Sequence, residues 1–94
     1  MLKNYIDKIE SSITKDTENK VETLIQIISK AIHNHNNIFI CGNGGSAANS
    51  IHIANDFTYM NNKIKTPKTI KIESLASNAA VMTCIANDIS YEDI

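Results

Sequence analysis

The sequence has 94 residues, a net charge of −1 and 43% apolar residues, which suits one small domain or a piece of a larger one. All nine basic residues are lysines, and a near-neutral chain without arginine argues against nucleic acid as a partner. Cys41 and Cys84 are too far apart in sequence to suggest a disulfide framework or a four-thiolate zinc site. Without a signal peptide or an apolar run of about 20 residues, the chain is predicted to be soluble and cytoplasmic, with no membrane partner.

Two amphipathic helices are predicted at the N-terminus, because apolar residues recur there at helical spacing. The polar residues 14–17 separate the two helices and offer several N-caps. We expect residues 1–36 to form an antiparallel helical arm used for packing or oligomerisation. The alternative is that both helices cover one face of the chain's own sheet. The apolar stripes consist of Leu2, Tyr5, Ile6, Ile9 and Ile13, then Val21, Leu24, Ile25, Ile28, Ala31 and Ile32.

Residues 37–94 are predicted to begin a parallel α/β sheet. The apolar run 38–41 is typical of a strand buried on both faces, with Cys41 as a small buried residue. A helix over 47–59, a connection over 60–68, a strand over 69–72 and a helix from Ala79, capped by Ser77 or Asn78, are predicted to follow. Helices alternating with strands are typical of a doubly wound α/β sheet. Because two parallel strands leave long unpaired edges, we interpret the sequence as the front part of a longer domain.

A glycine-rich loop, Gly42-Asn43-Gly44-Gly45-Ser46, joins the first predicted strand to the next helix. Glycine lets a backbone turn sharply and approach a ligand closely. The first amides of a helix lack partners and carry the positive end of the helix dipole, so anionic groups and hydroxyls bind well there. The loop therefore predicts a ligand site. The alternative is a plain strand-to-helix turn with Ser46 as the N-cap.

The same loop also fits the relaxed dinucleotide-binding pattern Gly-x-Gly-x-x-Ala through Gly42, Gly44 and Ala47. Glu73, just after the second predicted strand, would then be the acid that binds the ribose. The distance from the loop to this acid is long for the pattern, and two helices precede the strand. Dinucleotide binding is therefore the minor alternative.

Three polar residues share one face of the helix that follows the loop, since Asn49, His52 and Asp56 lie at i, i+3 and i+7. At i, i+4, His52 and Asp56 can bind a metal together or share a proton transfer. The alternative is an ordinary polar surface stripe. The ligand loop at the start of the helix favours the functional interpretation.

The segment from Cys41 to Ala48, with His52 and an acid four residues later, resembles the phosphoheptose isomerases, a family of the sugar-isomerase (SIS) domain. A second matching segment comprises Ser77, Asn78 and residues 85–93. The resemblance covers essentially all of this chain. It covers only about the first half of a typical family member. It implies a flavodoxin-like, three-layer αβα fold, with residues 37–94 as the first part of the SIS domain.

The resemblance also implies a function. Family members are homotetramers whose N-terminal helices pack at the subunit interface, and they interconvert sedoheptulose 7-phosphate and D-glycero-D-manno-heptose 7-phosphate through an enediol, for surface polysaccharides. His52 and Asp56 would lie at the reacting carbons, where family members can also bind a zinc ion. The remaining substrate contacts would come from Asn43, Gly44, Gly45 and Ser46 in the loop and from Asn87 and Asp88.

Two departures from the family pattern bear on this expectation. The family has glutamate where this chain has Asp56, which shortens the reach of the carboxylate by about 1.5 Å. The family's serine-rich phosphate loop lies in its second half, so we expect the 94 residues alone to be inactive. A non-catalytic SIS module that binds a phosphosugar or a protein is therefore the alternative function.

Overall fold

A computed structural model describes residues 1–64 and 69–94 of the chain. The order of helices and strands is the one that the sequence predicts, and it confirms an α/β chain with two N-terminal helices. Two short 3₁₀ turns, at Leu75–Ser77 and Tyr91–Asp93, were not predicted. The main elements are α1 (Leu2–Ser12), α2 (Lys15–His33), β1 (Asn37–Ile40), α3 (Gly45–Ile64), β2 (Lys71–Ser74) and α4 (Ala79–Asp88).

The N-terminal helices are defined by local capping and leave their apolar stripes uncovered. Thr14 caps α2, because its Oγ1 accepts the N–H of Thr17 at 3.2 Å. Neither helix has a buried residue, and the apolar residues of α1 are 48–72% exposed. The alternative that both helices cover the chain's own sheet is therefore wrong for α1 in the described residues. The use of 1–36 as a packing or oligomerisation arm stays a prediction.

Strands β1 and β2 form a parallel pair in which Ile38 lies beside Ile72 and Ile40 beside Ser74. Side chains of paired residues point to the same face of a sheet, and these four are buried or half-buried. On the other face, Phe39 is 58% exposed. The expectation that β1 is buried on both faces is therefore wrong within the described chain, because α3 covers one face only.

A chain of hydrogen bonds fastens α3 to β2. The Ser50 hydroxyl donates to the carbonyl oxygen of Ala47 at 2.7 Å, so the 2.7 Å bond between the two serine hydroxyls uses the hydrogen of Ser74. Ser74 Oγ in turn accepts the N–H of Ala76 at 3.2 Å. Ser50 and Ser74 are only 2% and 3% exposed. Burial without these partners would be costly, so the bonds fix the position of α3 against the end of β2.

The boundaries of α3 and β2 differ from those predicted. Helix α3 runs to Ile64 instead of ending near Tyr59, so part of the predicted connection over 60–68 is helical; residues 65–68 lie outside the described chain. Strand β2 lies two residues later than the predicted 69–72. The Asn61 amide explains the longer helix: it donates to Ile70 O at 2.6 Å and accepts from Ile70 N at 2.9 Å.

The chain exposes much more surface than a closed domain of its size. Its accessible surface is 7730 Å², whereas a compact protein of 10.4 kDa exposes about 5400 Å². Ala54 on α3 is the one buried apolar residue among those described. The elements are thus positioned by caps, strand pairing and buried hydroxyls, and the apolar stripes of α1 and α2 and the side chain of Phe39 are left largely open.

Candidate functional site

The glycine loop follows β1 directly and turns the chain into α3. Gly44 has a φ of +55°, a backbone conformation that favours glycine. The loop is closed by the N–H of Ser46, which donates to Asn43 O at 3.0 Å, and by the N–H of Ala48, which donates to Gly44 O at 3.2 Å. Helix α3 begins at Gly45, so Ser46 lies inside the helix. The alternative that Ser46 is the N-cap is therefore wrong.

The structure requires glycine at two of the three glycine positions of the loop, for a different reason at each. A Cβ on Gly42 would lie 2.5–2.8 Å from the backbone and Cβ of Ser46, so a close approach requires glycine there. Gly44 needs the positive φ. Gly45 needs neither, since a Cβ on it would meet no atom within 4 Å. The turn accounts for two glycines, and no contact within the described chain requires the third, Gly45.

A cleft of about 420 Å³ opens beside the loop, where the two strands end. Asn43 and Tyr91 meet at this cleft, and the Tyr91 hydroxyl donates a hydrogen bond to Asn43 Oδ1. Cys41 also lines the cleft and is exposed. The prediction that Cys41 is buried is wrong, because β1 ends one residue earlier at Ile40. The cleft is lined by Cys41, Gly42, Asn43, Leu75, Ala76, Met82, Tyr91, Glu92 and Ile94.

His52 and Asp56 meet on α3, as their spacing predicts. His52 Nε2 lies 3.4 Å from Asp56 Oδ2, and the two side chains are 78% and 65% exposed. His52 lies two positions after the buried Ser50, and Asp56 lies two positions after the buried Ala54. Two positions correspond to a rotation of about 200° around the helix axis. The pair is therefore on the side of α3 turned away from the sheet. An exposed i,i+4 ion pair contributes only about 0.3–0.5 kcal/mol to stability, so the pair is not needed for folding.

The donor atoms of this pair fit two positions of a zinc site. Ligands bound at about 2.0–2.2 Å to a tetrahedral zinc ion lie roughly 3.3–3.6 Å apart, which matches the observed 3.4 Å. A site needs three or four protein ligands. No group of three or more His, Cys, Asp or Glu side chains with metal-site geometry occurs among the described residues. This part of the chain would therefore supply at most two His, Cys, Asp or Glu ligands to such a site.

The other predicted substrate residues form a separate pair. Asn87 Nδ2 donates to Asp88 Oδ1 at 3.0 Å, and Asp88 Oδ2 accepts from Cys84 Sγ at 3.3 Å. Both residues lie at the exposed end of α4 and outside the lining of the cleft. Among the described residues, no hydrogen bond or ion pair connects the loop, the pair on α3 and the pair on α4. A site that uses all three needs further surfaces to join them.

The geometry does not favour the dinucleotide alternative. Glu73 was expected just after the second strand, but it is the third residue of β2. It pairs in register with Phe39 on the sheet face opposite α3. An acid that binds a ribose needs to lie beyond the carboxyl end of its strand, and Glu73 is wrongly placed for that role.

The sequence did not predict the contact between Tyr91 and Asn43. Tyr91 belongs to the segment 85–93 that carries the resemblance, but no role follows from its position there. Its partner Asn43 is 48 residues away, so no helical or strand periodicity connects the two. The contact becomes visible only in the tertiary structure, where both residues line the same cleft.

Comparison with known proteins identifies the family. The SIS domain matches residues 3–93, nearly the whole chain. The chain belongs to the SIS domain family. This confirms the resemblance that rested on the glycine loop and on the segment 85–93. No solved structure shows significant similarity to this chain.

Several curated relatives within this family are named phosphoheptose isomerase. The one from Clostridium acetobutylicum is 35% identical over 99% of this chain and 51% of its own length. Those from Helicobacter pylori and Thermodesulfovibrio yellowstonii are 32% and 31% identical, over 100% and 93% of this chain. The chain spans about half the length of these relatives, as the sequence predicts. Among the described residues, no helix is long and apolar enough to cross a membrane.

Proposed function

We propose that the protein is a sugar-phosphate isomerase that interconverts sedoheptulose 7-phosphate and D-glycero-D-manno-heptose 7-phosphate, for the heptose of surface polysaccharides. The observation that carries the proposal is the contact between His52 and Asp56 on the helix that begins at the glycine loop. Acid and base groups within reach of each other suit proton transfer. The relatives named phosphoheptose isomerase support the choice of substrate.

The proposed reaction moves one proton between neighbouring carbons and needs no oxidant or reductant. In the ketose-to-aldose direction, Asp56 takes a proton from C1 while His52 donates a proton to the carbonyl oxygen at C2. The enediol then returns a proton from the C1 oxygen to His52 and receives one at C2 from Asp56. Proton transfer by a positioned side chain contributes about 10²–10⁴-fold to a rate.

The glycine loop would hold the substrate next to this pair. Asn43, Gly44, Gly45 and Ser46 offer an amide side chain, a hydroxyl and the open backbone at the start of α3, which suit oxygen atoms of a sugar phosphate. Asn87 and Asp88 would bind sugar hydroxyls. Because these residues are not connected within the described chain, the proposal requires the rest of the protein, or a second copy, to complete the site.

A zinc ion is part of the proposal at one place only. His52 Nε2 and Asp56 Oδ2 would hold it, at a separation that suits two zinc ligands. A zinc-bound Nε2 has no proton to donate, so the proposed proton transfer by His52 applies to the metal-free site. When bound there, zinc supplies Lewis-acid polarisation of the carbonyl group. The remaining ligands would come from outside the described residues.

We further propose a homo-oligomer, with the tetramer as the expected state, acting in the cytoplasm. The apolar stripes of α1 and α2 support this proposal, because isoleucine, leucine and tyrosine side chains there are roughly half to three-quarters exposed. Apolar surface of this kind is stabilised when a partner surface covers it. The arm over 1–36 would then pack between subunits.

Proton NMR of sedoheptulose 7-phosphate in deuterated water tests the isomerase. The complete protein is expected to form the aldoheptose phosphate, with deuterium at the carbon beside the carbonyl. Asp56→Asn should lower the rate by about 10²–10⁴-fold, because it removes the base and keeps the shape. Asp16→Asn is the matched control, since Asp16 forms a similarly exposed i,i+4 ion pair with Lys20 on α2.

The alternative function is a non-catalytic module that binds a phosphosugar or a protein. The shorter side chain of Asp56, compared with the glutamate expected for the family, favours this alternative. Folded protein that gives neither product nor deuterium uptake would contradict the isomerase and support the binding module. Equal losses in Asp56→Asn and Asp16→Asn would show that the pair on α3 has no special role.

A further inference from the structure

Asn43 is fixed at its backbone but has a side chain that rotates easily. Its carbonyl oxygen accepts the N–H of Ser46 at 3.0 Å, which holds the main chain of the loop. The side chain is exposed at the cleft. Rotation about the terminal bond of an asparagine side chain has broad energy minima, so the amide can present either its oxygen or its nitrogen to a ligand.

Tyr91 removes this freedom. Its hydroxyl donates to Asn43 Oδ1, so the amide oxygen faces the tyrosine. Asn43 Nδ2 has no hydrogen-bond partner among the described residues, and it keeps two N–H donors for the cleft. Asn43 itself lines the cleft beside the loop.

The segment that carries Tyr91 is itself held in place. Ser90 Oγ donates to Asp93 Oδ2 at 2.6 Å, and the N–H of Asp93 donates to Ser90 O at 3.3 Å. These two bonds close the 3₁₀ turn Tyr91–Asp93, which contacts α4. Tyr91 therefore reaches Asn43 from an ordered turn, although the two residues are 48 positions apart.

We propose that Tyr91 is a positioning residue that orients the Asn43 amide so that its N–H groups bind an oxygen atom of the sugar phosphate. This inference rests on the proposed function, since it takes the sugar phosphate as the ligand. In this role Tyr91 acts on the Asn43 amide and not on the substrate directly. It acts by fixing a side chain before binding, which lowers the conformational entropy that binding costs.

The test combines Tyr91→Phe with Asn43→Ala in the complete protein. Tyr91→Phe removes one hydroxyl and keeps the ring, and it is expected to raise KM for sedoheptulose 7-phosphate about three- to tenfold, the size of one lost hydrogen bond. A change of that size also matches the entropy cost of ordering one side chain on binding, which is the cost that Tyr91 is proposed to lower. The value of kcat should stay within about twofold, because the amide binds substrate and transition state alike. Tyr59→Phe is the control, since Tyr59 and Tyr91 are 61% and 63% exposed.

The double variant separates positioning from a structural effect. If Tyr91 acts through Asn43, Tyr91→Phe has no further effect on KM in the Asn43→Ala background. An unchanged KM in Tyr91→Phe overturns the inference, and so does an equal loss with and without Asn43.

Calorimetric titration with sedoheptulose 7-phosphate keeps the inference testable without turnover. If the wild-type protein binds the sugar phosphate but does not convert it, the isomerase proposal fails. The wild-type protein, the two single variants and the double variant then test Tyr91 through their Kd values. Tyr91→Phe is expected to raise Kd in the wild-type background and to have no further effect in the Asn43→Ala background. If the wild-type protein neither binds nor converts it, both the proposed function and the inference are overturned.

Discussion

Replacing each loop glycine by alanine tests the structural reasons given for the loop. At Gly42 the new Cβ would lie 2.5 Å and 2.6 Å from the carbonyl carbon and oxygen of Ser46. These are backbone atoms at the start of α3, so no side-chain rotation relieves the contact. Overpacking typically costs about 1–3 kcal/mol and occasionally more. We expect Gly42→Ala to lower the free energy of unfolding by about 3 kcal/mol.

The other two glycines should behave differently. Gly44→Ala meets no atom but has to adopt a φ of +55°. That conformation costs about 1–2 kcal/mol for alanine. Alanine also lowers the conformational entropy of the unfolded chain, which stabilises the folded protein by about 0.4–1 kcal/mol. The free energy of unfolding is therefore expected to fall by about 1 kcal/mol. Gly45→Ala has open space and lies in the helix, where alanine is favoured over glycine by about 0.5–1 kcal/mol. It should therefore leave stability unchanged or raise it slightly.

Urea unfolding of the complete protein and its three variants measures this order. A parallel titration with sedoheptulose 7-phosphate shows whether Gly45→Ala, although stable, binds the ligand more weakly because its Cβ occupies the open space. A destabilisation of Gly45→Ala as large as that of Gly42→Ala would refute the reasoning. So would a Gly42→Ala variant as stable as the wild-type protein.

Three further substitutions follow from particular contacts. Ser74→Ala leaves the Ser50 oxygen and a backbone N–H without buried partners, so unfolding should become easier by about 1–3 kcal/mol in urea; an unchanged midpoint would contradict the bond chain. Asn61→Ala should destabilise by a similar amount, whereas Asn62→Ala, at the exposed neighbouring position, should not; equal effects would argue against the contact between α3 and β2. Asp56→Glu should raise the isomerase rate, by up to about 10²-fold if reach is limiting; no gain in the NMR assay would contradict reach as the limiting factor and leave a binding role open.

The sequence predicted those parts of the fold that depend on local spacing. Apolar residues at helical spacing located both N-terminal helices, and Thr14 caps α2 because its side chain needs only a neighbour three residues away. Asn78 caps α4 in the same way. The longer α3 could not be predicted, because the bond between Asn61 and Ile70 depends on how the helix returns to the sheet. Phe39 looked buried because an apolar strand does not reveal which of its faces is covered.

In the candidate site, too, contacts between residues close in sequence were predictable, and contacts that depend on the tertiary fold were not. The contact between His52 and Asp56 was predictable, since residues four apart on a helix are neighbours whatever the tertiary fold. The contact between Asn43 and Tyr91 was not, because it joins two loops through the return of the chain over the cleft. The sequence also identified three glycines without separating their roles. Only the atoms around each one distinguish the two that shape the turn from Gly45.

The residues that hold the chain together are different from those proposed to act on a ligand. Ser50 and Ser74 are almost completely buried, and their loss should reduce stability whether or not a ligand binds. His52, Asp56 and Tyr91 are exposed, and changing them removes little packing. Variants at these exposed positions should therefore fold like the wild-type protein, so that a loss of turnover or binding reports on chemistry. This separation makes the proposed function testable by single substitutions, although the three groups of site residues are not connected within the described chain.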